Sequence, residues 1–298
     1  MMTQKFLLAS LLLFAAIPTI WAEETKPLAE LQAAAEGGDA ESQFQLSRAY
    51  LQGSGVPKDL PRAFALMKSA AAQGHPDALG GVGYFYSKGL ATGKDGAEAV
   101  RWFRKGAEKG SAKARFNLGT SLLDGESGES TGQTPEARRD EGLRWIRMAA
   151  DQGLPEACLS YGIILYLGEQ GQPQDFPGAM ALLRTAAEHG LAEAQNMLGA
   201  MYEAGQSVAI DPVAAAEWYR KAALQGHAKA QANLGMILGP QTENKATRIE
   251  ALAWLLLAQE QEAILAQKIL AGTVSSLKSG ELDEAKARAD GLRKLVKH

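Results

Sequence analysis

The sequence predicts an all-α protein, a right-handed solenoid in which antiparallel helix pairs stack on one another. A stretch of 18 residues, "WYRKAALQGHAKAQANLG" from Trp218, repeats one that starts at Trp102, with eleven identical positions. Glycines with similar surroundings also recur about every 36 residues. A helix pair of that length cannot bury its own apolar faces, so neighbouring pairs must stack.

Six glycines mark the repeat, and we call them the origin glycines. Four residues after each comes a small residue, eight after an apolar one, and nine after a glycine in five of the six copies. Ala-Ala or Gly-Ala and a large apolar residue precede them at helical spacing, so each unit is two helices. The helix after an origin glycine is called the first helix, and the next one the second helix. The origin glycines are Gly38, Gly74, Gly110, Gly153, Gly190 and Gly226.

Turn and capping residues support the same division. The origin glycines stand where a helix ends in a left-handed residue, which glycine adopts without a steric penalty. Asp211-Pro212 and Thr134-Pro135 supply an N-cap followed by proline at the first helical position. The glycine at offset +9 lies inside a helix, where it costs about 1 kcal/mol relative to alanine. Its recurrence predicts close approach of two helices.

The repeated pattern A-x-x-W-x-x-x-A-A-x-x-G-x-x-x-A-x-x-x-L-G-x-x-Y resembles the Sel-one-like repeat (SLR), a relative of the tetratricopeptide repeat. The resemblance covers roughly residues 27–261 in six copies. It implies an SLR solenoid over 23–261, with residues 24–37 as a leading half-repeat. Residues 262–298 are expected to form a helical cap, whose charges, including Glu284 and Arg293, are interpreted as a solvated face.

The N-terminus predicts export. Residues 1–22 contain Lys5, an apolar run from Phe6 to Ile17, and Ala22 before Glu23, the layout of a secretory signal peptide. The run is shorter than the roughly 20 residues that span a bilayer. Cleavage after Ala22 would leave no membrane span, and an uncleaved anchor is the alternative. We expect a periplasmic protein, with secretion as the other destination.

Composition excludes several classes of protein. The 298 residues are 46% apolar and 22% charged, with a net charge of −3, which is typical of globular proteins but gives no case for nucleic-acid binding. The single cysteine excludes an intrachain disulfide and a Cys-rich zinc site.

The third copy carries seven extra residues near 125–137, interpreted as a tolerated surface insertion, with a contact loop as the alternative.

No motif for catalysis is present. The sequence has no P-loop or dinucleotide fingerprint, and its G-x-S-x-G match at 128–132 lies in a polar insertion and not in a nucleophile elbow. His75, His189 and His227 lie beside origin glycines and are interpreted as solvated turn residues, and Cys158 as a buried, inert thiol. Arg220 and Lys221 are interpreted as the solvated side of a helix. We therefore expect no catalytic residue, no metal and no cofactor.

The surface that solenoids use for binding is the concave face, lined by the first helices. In tetratricopeptide geometry, the groove would receive side chains at offsets +3, +6, +10, +13 and +14. Some of these side chains could instead pack between neighbouring units. The candidate partner-binding residues are Phe44, Arg48, Tyr84, Phe116, Leu159, Ile163, Tyr166, Glu193 and Asn196.

The resulting expectation is a monomeric, non-catalytic scaffold or adaptor that binds an unidentified protein or peptide in the cell envelope. Two alternatives stay open. The first is a secreted factor that contacts another cell. The second is a protein that binds or hydrolyses cell-wall material, although the paired cysteines of an SLR branch linked to penicillin binding are absent.

Overall fold

The computed structural model describes residues 27–125, 134–239, 242–261, 263–273 and 277–296. Within these ranges the chain forms fifteen α-helices and no strand, so the predicted all-α class is confirmed. Residues 1–22, the proposed signal peptide, lie outside the described residues, as do residues 126–133 of the insertion. Across the described ranges, no helix combines the length and apolar character that a membrane crossing requires.

The helices follow one another as predicted pairs, each first helix packing on the second helix that follows it. The chain divides into an N-terminal body that ends at His75 and a C-terminal body that begins at Pro76. The helices are α1 (Leu28–Glu36), α2 (Ala40–Gln52), α3 (Leu60–Ala72), α4 (Pro76–Lys88), α5 (Gly96–Glu108), α6 (Ala112–Asp124), α7 (Pro135–Asp151), α8 (Pro155–Leu167), α9 (Phe176–Glu188), α10 (Ala192–Ala204), α11 (Pro212–Ala223), α12 (Ala228–Leu238), α13 (Lys245–Glu260), α14 (Ile264–Thr273) and α15 (Glu281–Arg293).

The turns form as the sequence predicts. All six origin glycines are left-handed, with φ between 78° and 97°. At Gly38, Gly74, Gly110, Gly153 and Gly190, a Cβ atom would meet nothing within 4 Å, so the requirement there is conformational and not one of space. At the opposite helix ends, Asp211 accepts hydrogen bonds from the backbone N–H groups of Val213 and Ala214, which caps α11.

The glycines at offset +9 mark the closest helix contacts, as predicted. A Cβ atom on Gly119 would lie 2.6 Å from the carbonyl oxygen of Gly142 and 2.5 Å from the Ile146 side chain. The first copy has Ser47 instead of glycine, and its buried hydroxyl donates to the Ala63 carbonyl at 2.6 Å. Ala63 and Gly142 stand at the same offset, so serine hydrogen-bonds to the carbonyl that the glycines approach.

One apolar position in each unit contributes to the buried core. The apolar residue at offset +8 is at most 9% exposed in every unit, and burying a side chain of this size contributes roughly 1.5–3 kcal/mol. These residues are Leu46, Val82, Leu118, Tyr161, Leu198 and Leu234.

The C-terminal segment continues the repeat pattern in degenerate form. Ala266 and Leu270 of α14 are buried, at offsets +4 and +8 from position 262. α15 runs parallel to α13, because Arg248 pairs with Glu281 near their starts and Glu260 with Arg293 near their ends, both at 2.5 Å. Arg293 is 41% exposed, so it lies on the solvated face and also pairs with Glu260 of α13.

Candidate functional site

Glutamines join three successive helices at the turns that contain the origin glycines. Gln195, at the start of α10, donates from Nε2 to the Ala187 carbonyl at the end of α9, at 3.0 Å. Its Oε1 accepts from Nε2 of Gln225 at the end of α11, at 2.8 Å. We call this arrangement the glutamine clasp. The same bonds are made by Gln43 with Gln73 and by Gln231 with Gln261.

Successive first helices are joined by a second repeated contact at the same turns. Ser111, the N-cap of α6, donates to Asp77 of α4 at 2.5 Å. His227, the N-cap of α12, accepts from the Ala230 N–H through Nδ1 and contacts Glu193 through Nε2 at 2.7 Å. Because Nδ1 accepts, Nε2 carries the proton that is donated to the carboxylate.

The interpretation of the histidines as solvated turn residues is therefore wrong for two of the three. The side chains of His75 and His227 are only 13% and 18% exposed. In the N-terminal body, the His75 hydrogen bond holds the pKa of the Glu41 carboxyl below its usual range. His189 is exposed and contacts the Thr185 carbonyl of its own helix.

Second helices are joined by an arginine, a glutamate and a tryptophan. Arg220 of α11 pairs with Glu250 of α13, which also accepts from Trp254 Nε1 at 3.3 Å. Burial raises the pKa of Glu250. The hydrogen bond and the charge of Arg220 lower this pKa by more than burial raises it, so the net shift is downward. Arg220 is 41% exposed, so it lies on the solvated side of α11 and also contacts α13. An equivalent set is Arg104, Glu141 and Trp145.

Neighbouring helices hold several of the predicted partner-binding residues. Phe116, Leu159 and Tyr166 are half-buried and pack against the core formed by α7 to α10. Asn196 is only 7% exposed and accepts from Asn233 at 3.0 Å. These residues therefore match the alternative stated above, in which the side chains pack between neighbouring units. Such packing leaves less of their surface accessible to a partner.

The remaining predicted residues are more accessible or belong to contacts already described. Tyr84 is 39% exposed, and Ile163 is half-buried. Glu193 makes the contact with His227. In the N-terminal body, Arg48 is exposed, and Phe44 stacks on His75 with ring centroids 4.7 Å apart. Binding of a partner by this set stays a prediction.

Tyr84 opens onto a cleft between two first helices. α4 and α6 meet at Gly80 and Ala114, where a Cβ on the glycine would lie 2.9 Å from the alanine Cβ. At the carboxyl ends of the two helices, a cleft of about 500 Å³ separates them. We call it the first-helix cleft. It is lined by Tyr84, Ser87, Lys88, Lys94, Phe103, Asn117, Thr120, Ser121 and Asp124.

The cleft has opposite charges at the ends of its two first helices, and a second cation, Lys94, also lines it. Lys88 ends α4 and Asp124 ends α6, both are exposed, and neither has an ion-pair partner within the described part of the chain. Thr120 donates its hydroxyl to the Phe116 carbonyl at 3.1 Å. Its lone pairs therefore stay available as acceptors. Offset +14 was predicted to face the groove, but these two charged residues were not selected there.

The structure shows no arrangement for catalysis at Cys158. The thiol is buried, and its Sγ lies 3.4 Å from the Ala150 carbonyl, at the offset that carries glutamine in the clasps. Burial raises the pKa of this thiol, which disfavours a nucleophilic thiolate. Within the described ranges, no group of three or more His, Cys, Asp or Glu side chains is placed to hold a metal ion.

The repeat register agrees with a known family. The Sel1 repeat matches residues 40–75, 76–111, 112–154, 155–191, 192–227 and 228–261. The chain belongs to the Sel1 repeat family. The stacked helix pairs, with an origin glycine in the turn before each first helix, are therefore Sel1 repeats, and this confirms the SLR resemblance and the solenoid fold.

Similar proteins share this architecture. A Sel1 repeat protein from Oxalobacter formigenes superposes with a TM-score of 0.63 at 27% identity, covering 79% of this chain and all of that one. A protective antigen of uropathogenic Escherichia coli that displays an SLR fold gives 0.50 at 28% identity, covering 90% of this chain and 63% of that one. Chitin synthase regulatory factor 3 of Schizosaccharomyces pombe is 28% identical over 210 residues, which are 69% of this chain but 18% of that protein.

Proposed function

We propose that this Sel1 repeat protein is a non-catalytic scaffold that binds a protein or peptide, and that the first-helix cleft is its main contact point. One observation carries the proposal. At the repeated offsets, polar side chains are engaged by neighbouring helices, as in the clasp of Gln195 and Gln225. At the cleft, Lys88 and Asp124 line one cavity and have no ion-pair partner among the described residues. Charged side chains that line a cleft without ion-pair partners favour recognition of another molecule.

The chemistry of the molecule and its relatives supports binding over catalysis. Among the described residues, Gln206 Oε1 is the one buried side-chain nitrogen or oxygen without a hydrogen-bond partner, and Cys158 is engaged by a backbone carbonyl. Two of the similar proteins are named as a regulatory factor and as a protective antigen. Neither name denotes a catalyst.

We further propose that the protein acts after export, in the periplasm. The support is the layout of residues 1–22, with Lys5, an apolar run and Ala22. Cell fractionation tests this proposal: the protein is expected in the periplasmic fraction, shortened by 22 residues. Recovery from the culture medium would favour the secreted alternative, and recovery in the cytoplasm would contradict export.

Site-specific photocrosslinking in cells tests the binding proposal. A photoreactive phenylalanine analogue replaces Tyr84 at the cleft or Met148 on a second helix, two positions with 39% and 40% exposure. We expect a discrete protein adduct from position 84 and none of the same size from position 148.

Three results would contradict the binding proposal. Equal adducts from both positions would show that the cleft is not selected. No adduct from either position would remove the support for a partner. Adducts of position 84 with peptidoglycan fragments would favour the cell-wall alternative instead.

A further inference from the structure

The walls of the first-helix cleft differ at one repeat offset. Lys88 and Asp124 both stand at offset +14, the last residue of their helices, where the other described units have Gln52, Leu167 and Ala204. An aspartate at a helix C-terminus is unfavourable, because that end carries partial negative charge. Asp124 therefore does not stabilise α6, the helix that it ends.

Lys88 and Asp124 do not form an ion pair with each other. They line one cavity of about 500 Å³, yet no ion pair joins them. The cleft between the carboxyl ends of α4 and α6, about 500 Å³ in volume, leaves room for a segment of chain between these side chains. A ligand that meets both walls must offer an acidic group to Lys88 and a basic group to Asp124.

An extended peptide meets this requirement with a simple spacing. Alternate side chains of an extended chain point to the same side, and residues two apart are separated by about 7 Å. Side chains of opposite charge at such positions can therefore reach Lys88 on one wall and Asp124 on the other. The hydroxyl oxygens of Thr120 and Ser87, which donate to backbone carbonyls, keep lone pairs for main-chain N–H groups of the peptide.

We propose that the first-helix cleft recognises an extended peptide segment in which an acidic and a basic residue stand two positions apart. Lys88 pairs with the acidic side chain and Asp124 with the basic one. Tyr84, at the same cleft, covers the segment with its exposed ring. The inference rests on the proposed scaffold function and specifies the class of partner.

The test uses four sets of nine-residue peptides with random flanks and a fixed centre. The centres are Glu-x-Lys, Gln-x-Gln, Lys-x-Lys and Glu-x-Glu, and binding to the purified protein is measured by fluorescence polarisation. We expect the Glu-x-Lys set to bind about tenfold more tightly than Gln-x-Gln, equivalent to about 1.4 kcal/mol. Added salt should narrow the difference, because the pairs are near the surface.

Charge-reversal variants make the assignment specific. Lys88→Glu gives two acidic walls and should prefer Lys-x-Lys, whereas Asp124→Lys gives two basic walls and should prefer Glu-x-Glu. The double variant should return to Glu-x-Lys. Because Asp124→Lys places a cation at a helix C-terminus, it favours the fold, so an altered preference cannot be assigned to unfolding.

Lys229→Glu is the matched control. Lys229 is exposed in the first turn of α12, at the offset where Glu41, Glu156 and Glu193 stand in other units. It should keep the preference of the unmodified protein. A shift equal to that of Lys88→Glu would show attraction to net charge and overturn the proposal.

Other outcomes separate this inference from the proposed function. Equal binding of Gln-x-Gln and Glu-x-Lys peptides would overturn the charge-pair inference while leaving a peptide-binding scaffold. If no peptide set binds but Tyr84 crosslinks to a protein in cells, the inference falls and the scaffold function stands. If peptidoglycan fragments bind and peptides do not, both are overturned.

Discussion

The origin-glycine turns and the first-helix cleft lie at opposite ends of the same first helices, and they use polar residues differently. At the turns, glutamine recurs at offset +5 and its donor and acceptor atoms are engaged by neighbouring helices, as for Gln195. At the cleft, offset +14 changes from unit to unit, and Lys88 and Asp124 stay unpaired among the described residues. The difference teaches that repeated positions assemble the units, whereas varied positions are free to specify a partner.

The largest expected effect is at a repeated glycine. Gly119→Ala would place a methyl group 2.6 Å from the Gly142 carbonyl oxygen, and backbone atoms cannot move aside as a flexible side chain does. We expect a loss of about 3 kcal/mol in the free energy of unfolding, measured by urea denaturation, in the upper range for overpacking. Gly291→Ala is the control, because its Cβ meets nothing within 4 Å and should stabilise α15 by up to about 1 kcal/mol. A stable Gly119→Ala protein would contradict the close helix approach.

The second largest effect on stability is expected at the ion pair between α13 and α15, a contact that is not part of the repeat. Arg248 donates to Glu281 at 2.5 Å, and this hydrogen bond holds the pKa of the Glu281 carboxyl below its usual range. The pair therefore stabilises the fold above the unfolded pKa of about 4.3 and loses that contribution as pH falls through the lower folded value. Glu281→Gln should lower the melting temperature at pH 7 and flatten its decline towards pH 3. Glu108→Gln changes an exposed residue and should keep the melting temperature at pH 7 and its decline towards pH 3. Identical melting curves for all three proteins would show that the Arg248–Glu281 pair does not stabilise α15.

The glutamine clasp should have an intermediate effect. Gln195→Ala leaves the Ala187 carbonyl and the Gln225 amide without their partner, and an unsatisfied buried polar group costs about 1–3 kcal/mol. Gln259→Ala, on an exposed glutamine of α13, should change the free energy of unfolding by less than about 0.5 kcal/mol. Equal losses from the two variants in urea denaturation would show that the clasp adds nothing beyond side-chain removal.

The repeat, and with it the fold, was predictable from local spacing. Glycines with positive φ and a glycine at each tight contact leave a signal in the sequence itself, as Gly119 does. The clasp leaves a weaker signal, because Gln195 and its partner Gln225 are 30 residues apart and three of six copies carry glutamine at offset +5. The partner of His227 is Glu193, 34 residues earlier, so a search among adjacent residues missed it.

The cleft was less accessible to prediction than the fold. The groove offsets were identified by resemblance, but selection of large apolar residues there favoured Phe116 and Tyr166, which pack on the core. The close approach of Gly80 to Ala114 determines where α4 and α6 can enclose a cavity. That approach depends on the packing of helices from two units, which local spacing alone does not give.

A smaller effect is expected at the N-cap of α12. His227→Ala removes the hydrogen bond from the Ala230 N–H and the contact with Glu193, which should cost about 1 kcal/mol. His227→Ser should restore most of that stability, because Ser111 makes the equivalent two contacts in α6. Equal destabilisation by serine and alanine in urea denaturation would show that the imidazole ring contributes by packing and not by capping.

The smallest effect on stability is at the cleft, where stability and binding should change in opposite directions. Asp124→Asn removes a negative charge from the C-terminus of α6 and should stabilise the protein by about 0.3–1 kcal/mol. The same change should weaken binding of Glu-x-Lys peptides, since the basic side chain loses its partner. Lys88→Gln removes a favourable charge from the end of α4 and should lower both stability and binding. If Asp124→Asn lowered stability, Asp124 would belong with the assembling residues, and the contrast between repeated turns and varied cleft would not hold at this position.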